Sequence, residues 1–452
     1  VPDAPESTDL LQLCRSVVGA ARPGEQIEAY AARGRRTSIK TYKEEVESFT
    51  SAESAGIGIR VIVDGREGFA SAGMLDKTVV SETLEEARDN ALFAEPDEHV
   101  GLAEPDPERP RAKLDLFREG LEAISTDEKI ARALELERMV RGRDPRVTGV
   151  RSSGWSDSVG EHALATTTGI ESVHRGTTCS VTTSALAEAG GQTQIAGGMS
   201  YGRGPDEIDL DEAASEAVEH AVRLLGATKP PSARLTAVLM PSVTASFLGI
   251  IGGILSGEAV LKGRSLFATR VGEDVAGPIF TLADDATDAD SFGAALDDDE
   301  GLASRRNELI AGGVLQGFLY NTYAGRRAGT GSTGSAVRGY ASTPSVGTRG
   351  LALVPGERNQ EELLAAIDNG VLVQSVSGLH SGVNPVSGDF SVGAAGLMIR
   401  NGRLAEPVQE MTVASTIQRM LLDVAAVGND VRWLGSTAGV TLVIDDISLG
   451  GR

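Results

Sequence analysis

An α+β fold, with mainly antiparallel sheets and packed helices in two domains, is the architecture this sequence predicts. Three observations carry it. Strand signals come in runs and do not alternate with helices, which argues against a parallel α/β sheet. Two of the turns hold Asp64-Gly65 and Asn401-Gly402, pairs that favour the positive φ of tight hairpins. A proline-marked break, "GATKPPSARL", stands near residue 230 of a 452-residue chain, long enough for more than one core. The predicted domains are residues 1–229 and 230–452.

Taken in order, residues 9–21 suit an amphipathic helix with Leu10, Leu11, Cys14, Val17 and Val18 on one side. Strand stretches follow: "QIEAYAA", "TSIKTYKEEVESFTS" and "GIGIRVIVDGREGFASAG". Ser81 is placed to cap a helix running to about Phe93, with Leu84, Ala87 and Ala91 inward. Residues 95–115 carry Pro96, Pro105, Pro107 and Pro110 among acids and predict an exposed connector. Ser125 and Glu128 resemble a capping box opening a helix to about Arg141. Strands fill residues 147–200, turned at "TTTGIES", and a helix begins after Asp209 and stops at Gly226. In the second half the strand "RLTAVLMPS" enters the apolar segment "SFLGIIGGILSGEAV". An acidic loop and a glycine-turned hairpin, "NELIAGGVLQGFLYN", come next. Strands near Val371 and over 392–399, a helix over 413–427 and the strand "VTLVIDDISL" complete the chain.

Composition narrows the function. The formal net charge of -22 repels phosphate backbones, so no nucleic-acid partner is expected. Cys14 and Cys179 are the only cysteines, too few for a disulfide framework or a zinc site built on several thiolates. The start, "VPDAPESTDLL", lacks a basic stretch followed by an apolar one, so no secretory leader is expected. No apolar stretch is long enough to span a bilayer. A cytoplasmic protein without a membrane partner is the expectation.

Short motifs resembling catalytic patterns lack their contexts. "GTGSTG" (residues 329–334) fits a dinucleotide fingerprint but has no strand before it and no helix after, so it is read as a glycine loop. "GMSYG" (residues 198–202) makes Ser200 a candidate nucleophile, with His220 and His380 downstream for a triad. "RGPDEID", however, delays the helix that a nucleophile elbow requires. "DADSFGAALDDD" (residues 288–299) has part of a calcium-loop spacing, but Phe292 and Asp299 break it and a solvated acidic loop is the better reading. His99, His162, His174, His220 and His380 include no pair at helical metal-binding spacing and are read as surface or hydrogen-bonded histidines. His174 and Cys179, five apart on a strand, fall on opposite faces.

Longer stretches say more. "EVESFTSAESAGIGIRVIVDGREGFAS", "LDDDEGLASRRNELIAGGVLQGFLYNTYAGRRAG", "GVNPVSGDFSVGAAGLMIRNGRL" and "VAAVGNDV" occur in order along the chain. Together they resemble the TldD/PmbA family, also labelled modulators of DNA gyrase, and the likeness runs over nearly the whole length. The resemblance implies a two-domain α+β architecture and a pair of homologous subunits forming a zinc metalloprotease that acts on peptides or unfolded segments. Its TldD-type member carries H-E-x-x-x-H on a helix after a strand, plus a late cysteine; zinc there activates a water and the glutamate takes its proton.

In this chain those histidine, glutamate and histidine positions fall on Leu248, Gly249 and Gly253, and no cysteine follows Cys179. Segment 246–260 is therefore expected to be the pseudo-catalytic counterpart of the metal helix. The resemblance is to the PmbA or TldE type, with no metal or cofactor of its own, zinc in a TldD-type partner, and a homodimer as the alternative when alone. Gly249, Gly252, Gly253 and Gly257 leave one helix face nearly bare, for close packing within the core or against a partner. "VSGLHSGVNPVSGD" matches the family's substrate groove, which makes Gly378, His380, Ser381, Gly382 and Asn384 an expected peptide-binding edge. Two other functions stay open at this point: an independent hydrolase using Ser200 or an unrecognised metal site, and a peptide-binding or regulatory protein without protease activity.

Overall fold

The first half of the chain is one large sheet. The computed structural model describes residues 9–452; residues 1–8, most of the stretch on which the leader expectation rests, lie outside it. Strands β1 (Gln26–Tyr42), β2 (Glu45–Val63), β3 (Arg66–Ala72), β4 (Val147–Thr166), β5 (Glu171–Ala189) and β6 (Gln192–Gly202) form six strands in the order β3-β2-β1-β4-β5-β6. Every pairing is antiparallel. Asp64 and Gly65 take φ of 49° and 73°, as the Asp-Gly turn predicts.

Helices α1 (Leu10–Val18), α2 (Lys77–Phe93), α3 (Glu119–Ala123), α4 (Thr126–Arg143) and α5 (Leu210–Arg223) belong to this half. Packing of α1, α2, α4 and α5 on one sheet face buries Ile27, Ile59 and Leu84 in one cluster and Leu136, Trp155 and Val181 in another. Helix α2 starts before Ser81 because the Asp76 carboxylate accepts the Thr78 N–H at 2.8 Å and caps it there. Strand alternation leaves the opposite face to small polar residues: Trp155 and Asp157 are buried while Ser156, Ser158 and Gly160 are partly open.

The second half contributes β7 (Ala233–Leu239), α6 (Pro241–Ile254), α7 (Gly257–Leu261), β8 (Leu282–Asp285), β9 (Arg306–Ala311), β10 (Val314–Leu315), α8 (Thr322–Arg327), β11 (Ala336–Val337), β12 (Ser345–Val346) and β13 (Leu351–Leu353). It continues with α9 (Gln360–Ala365), β14 (Asn369–Ser377), α10 (Leu379–Gly382), β15 (Asp389–Arg400), β16 (Arg403–Thr416), α11 (Ile417–Leu422), β17 (Val424–Val427), β18 (Arg432–Leu434), β19 (Thr437–Gly439) and β20 (Leu442–Gly450). One sheet runs β16-β15-β14-β7-β20-β17, and a further pairing of β16 with β20 closes its first five strands into a ring. Another runs β10-β9-β8-β13-β19-β18. Only β7 with β14 and β13 with β19 run parallel among the described strands. The α+β class therefore holds, with antiparallel pairing dominant.

Three expectations are corrected. The helix expected over 413–427 is only α11, because Val413 pairs with Val392 and Leu449 in the ring and Val424–Val427 is a strand. The connector over 95–115 is exposed through residues 104–111 and at several positions on either side, but residues 101–103 are buried. Its first part is tied to the second half: Tyr323 Oη donates to Asp97 Oδ2 at 2.9 Å and Arg326 Nη2 to the Leu102 carbonyl at 2.6 Å.

The acidic loop is the third correction, since its end is buried and not solvated. Asp298, Asp299 and Glu300 are 2%, 7% and 1% exposed. Backbone N–H groups of Glu300, Leu302 and Ala336 donate to Asp298, and that of Thr322 donates to Glu300. Burial of charge is tolerated because each carboxylate has donors. Nearby, Glu28 on β1 accepts from Arg60 Nη1 at 3.1 Å and from Arg338 of the second half, while Asp299 pairs with Arg349 at 2.7 Å. The two halves thus meet through buried, paired charge.

Candidate functional site

Strand β7 delivers the chain to α6, which Pro241 opens at its first turn. Val243, Phe247, Leu248, Ile251, Ile254 and Leu255 pack into the largest core cluster, with Phe247 edge-on to Phe390 at 6.0 Å. Ser242, Ser246, Gly249 and Gly253 form the exposed stripe. Leu248 is fully buried, whereas a Cβ on Gly249 or Gly253 would meet nothing within 4 Å.

The glycines therefore divide. At Gly252 a Cβ would lie 2.8 Å from Leu351 Cδ2, and at Gly257 it would lie 2.2 Å from the Tyr320 ring, so these two serve close packing inside the chain. Gly249 and Gly253 have no packing reason among the described residues. Gly249→Ala and Gly253→Ala should each raise stability by about 0.5–1 kcal/mol, since an exposed helix interior favours alanine. Gly257→Ala should lower it by about 2 kcal/mol through overpacking. Urea midpoints of the three variants check this; a loss of stability at Gly249→Ala would mean the bare stripe is needed by the fold.

Zinc requires nitrogen, sulfur or oxygen donors at about 2.0–2.3 Å. A core leucine and two glycines supply none, so these positions do not fit the metal. Among the described residues no three His, Cys, Asp or Glu side chains gather as a metal would require. Cys14 and Cys179 are buried thiols pushed up to about 12 by burial, so neither is a ready thiolate.

The segment expected to be an extended peptide edge is a helical turn at its centre. Gly378 takes φ of 77° and introduces α10, which includes His380, Ser381 and Gly382; Asn384 follows in a turn, its Oδ1 accepting from the Val386 and Ser387 N–H groups. His380, Ser381 and Asn384 are exposed. A Cβ on Gly382 would lie 2.0 Å from the Ser391 carbonyl oxygen, so that glycine is required by contact with β15. Leu379 and Val383 pack against the same core as α6.

Ser200 lacks the histidine partner a triad requires among the described residues. It is 5% exposed on β6, and its hydroxyl accepts the Asp209 N–H at 3.0 Å where α5 begins. The "GTGSTG" stretch is a loop after α8, with φ of 69° at Gly329 and 68° at Gly334.

A cleft between the halves escaped the sequence reading. His162 and His174 are direct cross-strand partners on β4 and β5 and stack at 4.9 Å, with Tyr30 on the other side of His162 at 5.1 Å. They are half-buried stacking groups, and the burial they have lowers the pKa of both. They line a cavity of about 290 Å³ with Arg203 and Phe292. Beyond Phe292 a second cavity, of about 500 Å³, is bounded by Tyr201, Arg432 and Trp433. Alternation alone would have put His162 and Ser158 on one face; what covers that face is not local information.

Residues 27–92 match the family model of the PmbA/TldA metallopeptidase domain 1, residues 119–225 that of the central domain, and residues 232–451 that of the C-terminal domain. The chain belongs to the PmbA/TldD family. Its relatives include the "Metalloprotease PmbA" of Escherichia coli O157:H7, 24% identical over 424 residues that cover 92% of this chain and 90% of the relative. A crystal structure from Thermotoga maritima MSB8, of a protein described as a modulator of a DNA gyrase, superposes with a TM-score of 0.90 at 23% identity, covering 97% of this chain and 99% of that one. TldE from Thermococcus kodakarensis superposes with a TM-score of 0.84 at 22% identity over 98% and 99% of the two chains. These two superpositions establish the shared fold. The first two PmbA/TldD domain matches lie on one continuous six-stranded sheet. No helix among the described residues is long and apolar enough to cross a membrane.

Proposed function

We propose that this chain is the zinc-less subunit of a two-subunit cytoplasmic metallopeptidase, and that it helps hold peptides or unfolded segments for a TldD-type homologue that carries the metal. One observation supports this most: within a metallopeptidase family, the positions that would hold zinc and its base are Leu248, Gly249 and Gly253, and no donor stands in their place. The exposed His380, Ser381 and Asn384, on a segment packed against the core of α6, are the residues proposed to face the peptide. Without its partner the chain is proposed to associate with itself.

The test is peptide turnover by this chain, by a TldD-type homologue bearing H-E-x-x-x-H, and by their mixture, with assembly followed by size-exclusion chromatography. This chain alone should cleave nothing and contain no stoichiometric zinc. The mixture should cleave unfolded peptide, and a chelator should abolish that activity. A bulky change at exposed Ser381 should slow the mixture without preventing assembly. Gly382 is unsuitable for this purpose because any side chain there meets β15. Chelator-sensitive cleavage by this chain alone would overturn the proposal.

A further inference from the structure

Arg203 follows β6 and is 6% exposed, yet no carboxylate among the described residues lies within ion-pair distance of its guanidinium. Its Nη2 donates to the carbonyls of Ser291 at 2.5 Å and Ala289 at 3.4 Å, and the group lies 5.6 Å from the centre of the Phe292 ring. Nε and Nη1 make no hydrogen bond to any described residue, and the side chain lines both cavities of the cleft. Neighbouring acids are already engaged. Glu207 accepts from Arg118 Nε at 2.9 Å and from the Arg203 backbone N–H, Glu161 pairs with Arg33 at 2.7 Å, and Asp299 pairs with Arg349. Asp290 is exposed at the rim of the larger cavity.

In the smaller cavity, then, a buried cation lacks its anion. Burial first, and then the charge of Arg118, works against its protonated form, but a guanidinium keeps its proton at neutral pH. Arg33 and Glu161 also line it, but as an ion pair at 2.7 Å; the remaining polar groups are neutral: His162 and His174, together with the hydroxyls of Ser158, Thr177 and Thr178.

We propose that the smaller cavity binds a carboxylate, the free C-terminus of a short peptide, on Arg203, with the peptide body running past Phe292 and Tyr201 into the larger cavity. A single uncompensated charge matches a monoanion; a phosphate dianion would need a second cation, and Arg33, the other one lining this cavity, already pairs with Glu161. The planar guanidinium suits a carboxylate, and the larger cavity offers Tyr201, Val431 and Trp433 to apolar side chains. The inference shares with the proposed function only the idea that this chain handles peptides.

Calorimetric titration of the full chain, without partner or metal, tests it. The probes are an acetylated tripeptide of alanine, leucine and phenylalanine with a free carboxylate, the same peptide as its C-terminal amide, and inorganic phosphate. The acid should bind at least about tenfold more tightly than the amide, and Arg203→Met should reduce the acid to the amide's affinity. Because Arg203 also ties down residues 289–291, the acid–amide ratio in the unsubstituted protein is the primary measurement. Thr178→Val provides a second variant, expected to weaken the acid a few-fold and leave the amide unchanged. Equal binding of acid and amide, binding of neither, or phosphate binding more tightly than the acid would each overturn the site. Failure of the mixed-subunit cleavage assay would leave these outcomes untouched.

Discussion

Replacing Arg338 with methionine should destabilise the protein by about 3 kcal/mol, because it strips a partner from a buried carboxylate. Arg338 is fully buried and bonds to Glu28, which is itself 1% exposed and keeps only Arg60 otherwise. Burial pushes the Glu28 carboxyl up, but Arg60 and then Arg338 outweigh it and hold it below the usual range. The guanidinium also lies 5.0 Å from the centre of the Tyr30 ring and 5.9 Å from that of Phe69, contacts that join the halves. Its Nε and Nη2 lack partners among the described residues, so removing both charges together is a different matter from removing one. The double variant Glu28→Gln, Arg338→Met should recover most of the loss. Urea unfolding of the single and double variants measures this. An Arg338→Met protein within about 0.5 kcal/mol of the parent would refute the account.

Acidification should weaken the parent more than a His162→Gln variant. His162 lies between Tyr30 and His174, with Nε2 3.8 Å from Asp299 Oδ1, too long for a hydrogen bond. Burial, the largest effect, brings its pKa down to about 4; Asp299 opposes this, while His174 and Arg349 add to it. The folded state therefore keeps this histidine neutral while the unfolded chain takes a proton near pH 6.5. Stability from this group is present above that pH and is lost as pH falls towards 4. With 23% of the side chain still meeting solvent, the effect is on the order of 2–3 kcal/mol. Asp298 acts in the opposite sense: burial and then Glu300 push its carboxyl up to about 7, so its contribution is lost as pH rises from the carboxylate range to neutrality. That contribution is common to parent and variant and cancels in their difference. Unfolding midpoints between pH 7.5 and 4 should converge as the medium acidifies; a constant gap would remove His162 from the explanation.

Periodicity and turn chemistry are local, and they made much of the fold legible. Asp64-Gly65 and Asn401-Gly402 both take the positive φ their residue types favour, and Asp209 and Ser125 both cap the helices they precede. Residues 413–427 misled because the apolar spacing of a helix is also compatible with a strand, helical turn and strand; pairing with Val392 and Leu449 decided between them.

By itself the sequence determined the α+β class, the hairpins, the family, and the lack of any donor at Leu248, Gly249 and Gly253. Only the tertiary structure decided that Gly252 and Gly257 are filled by neighbours while Gly249 and Gly253 are not. The same holds for the burial of Asp298–Glu300 and for Arg203, which lines a cavity with two histidines and has no carboxylate partner among the described residues. The reason is physical: a dihedral preference or a missing donor belongs to one residue, whereas desolvation and charge pairing depend on what distant segments bring alongside it.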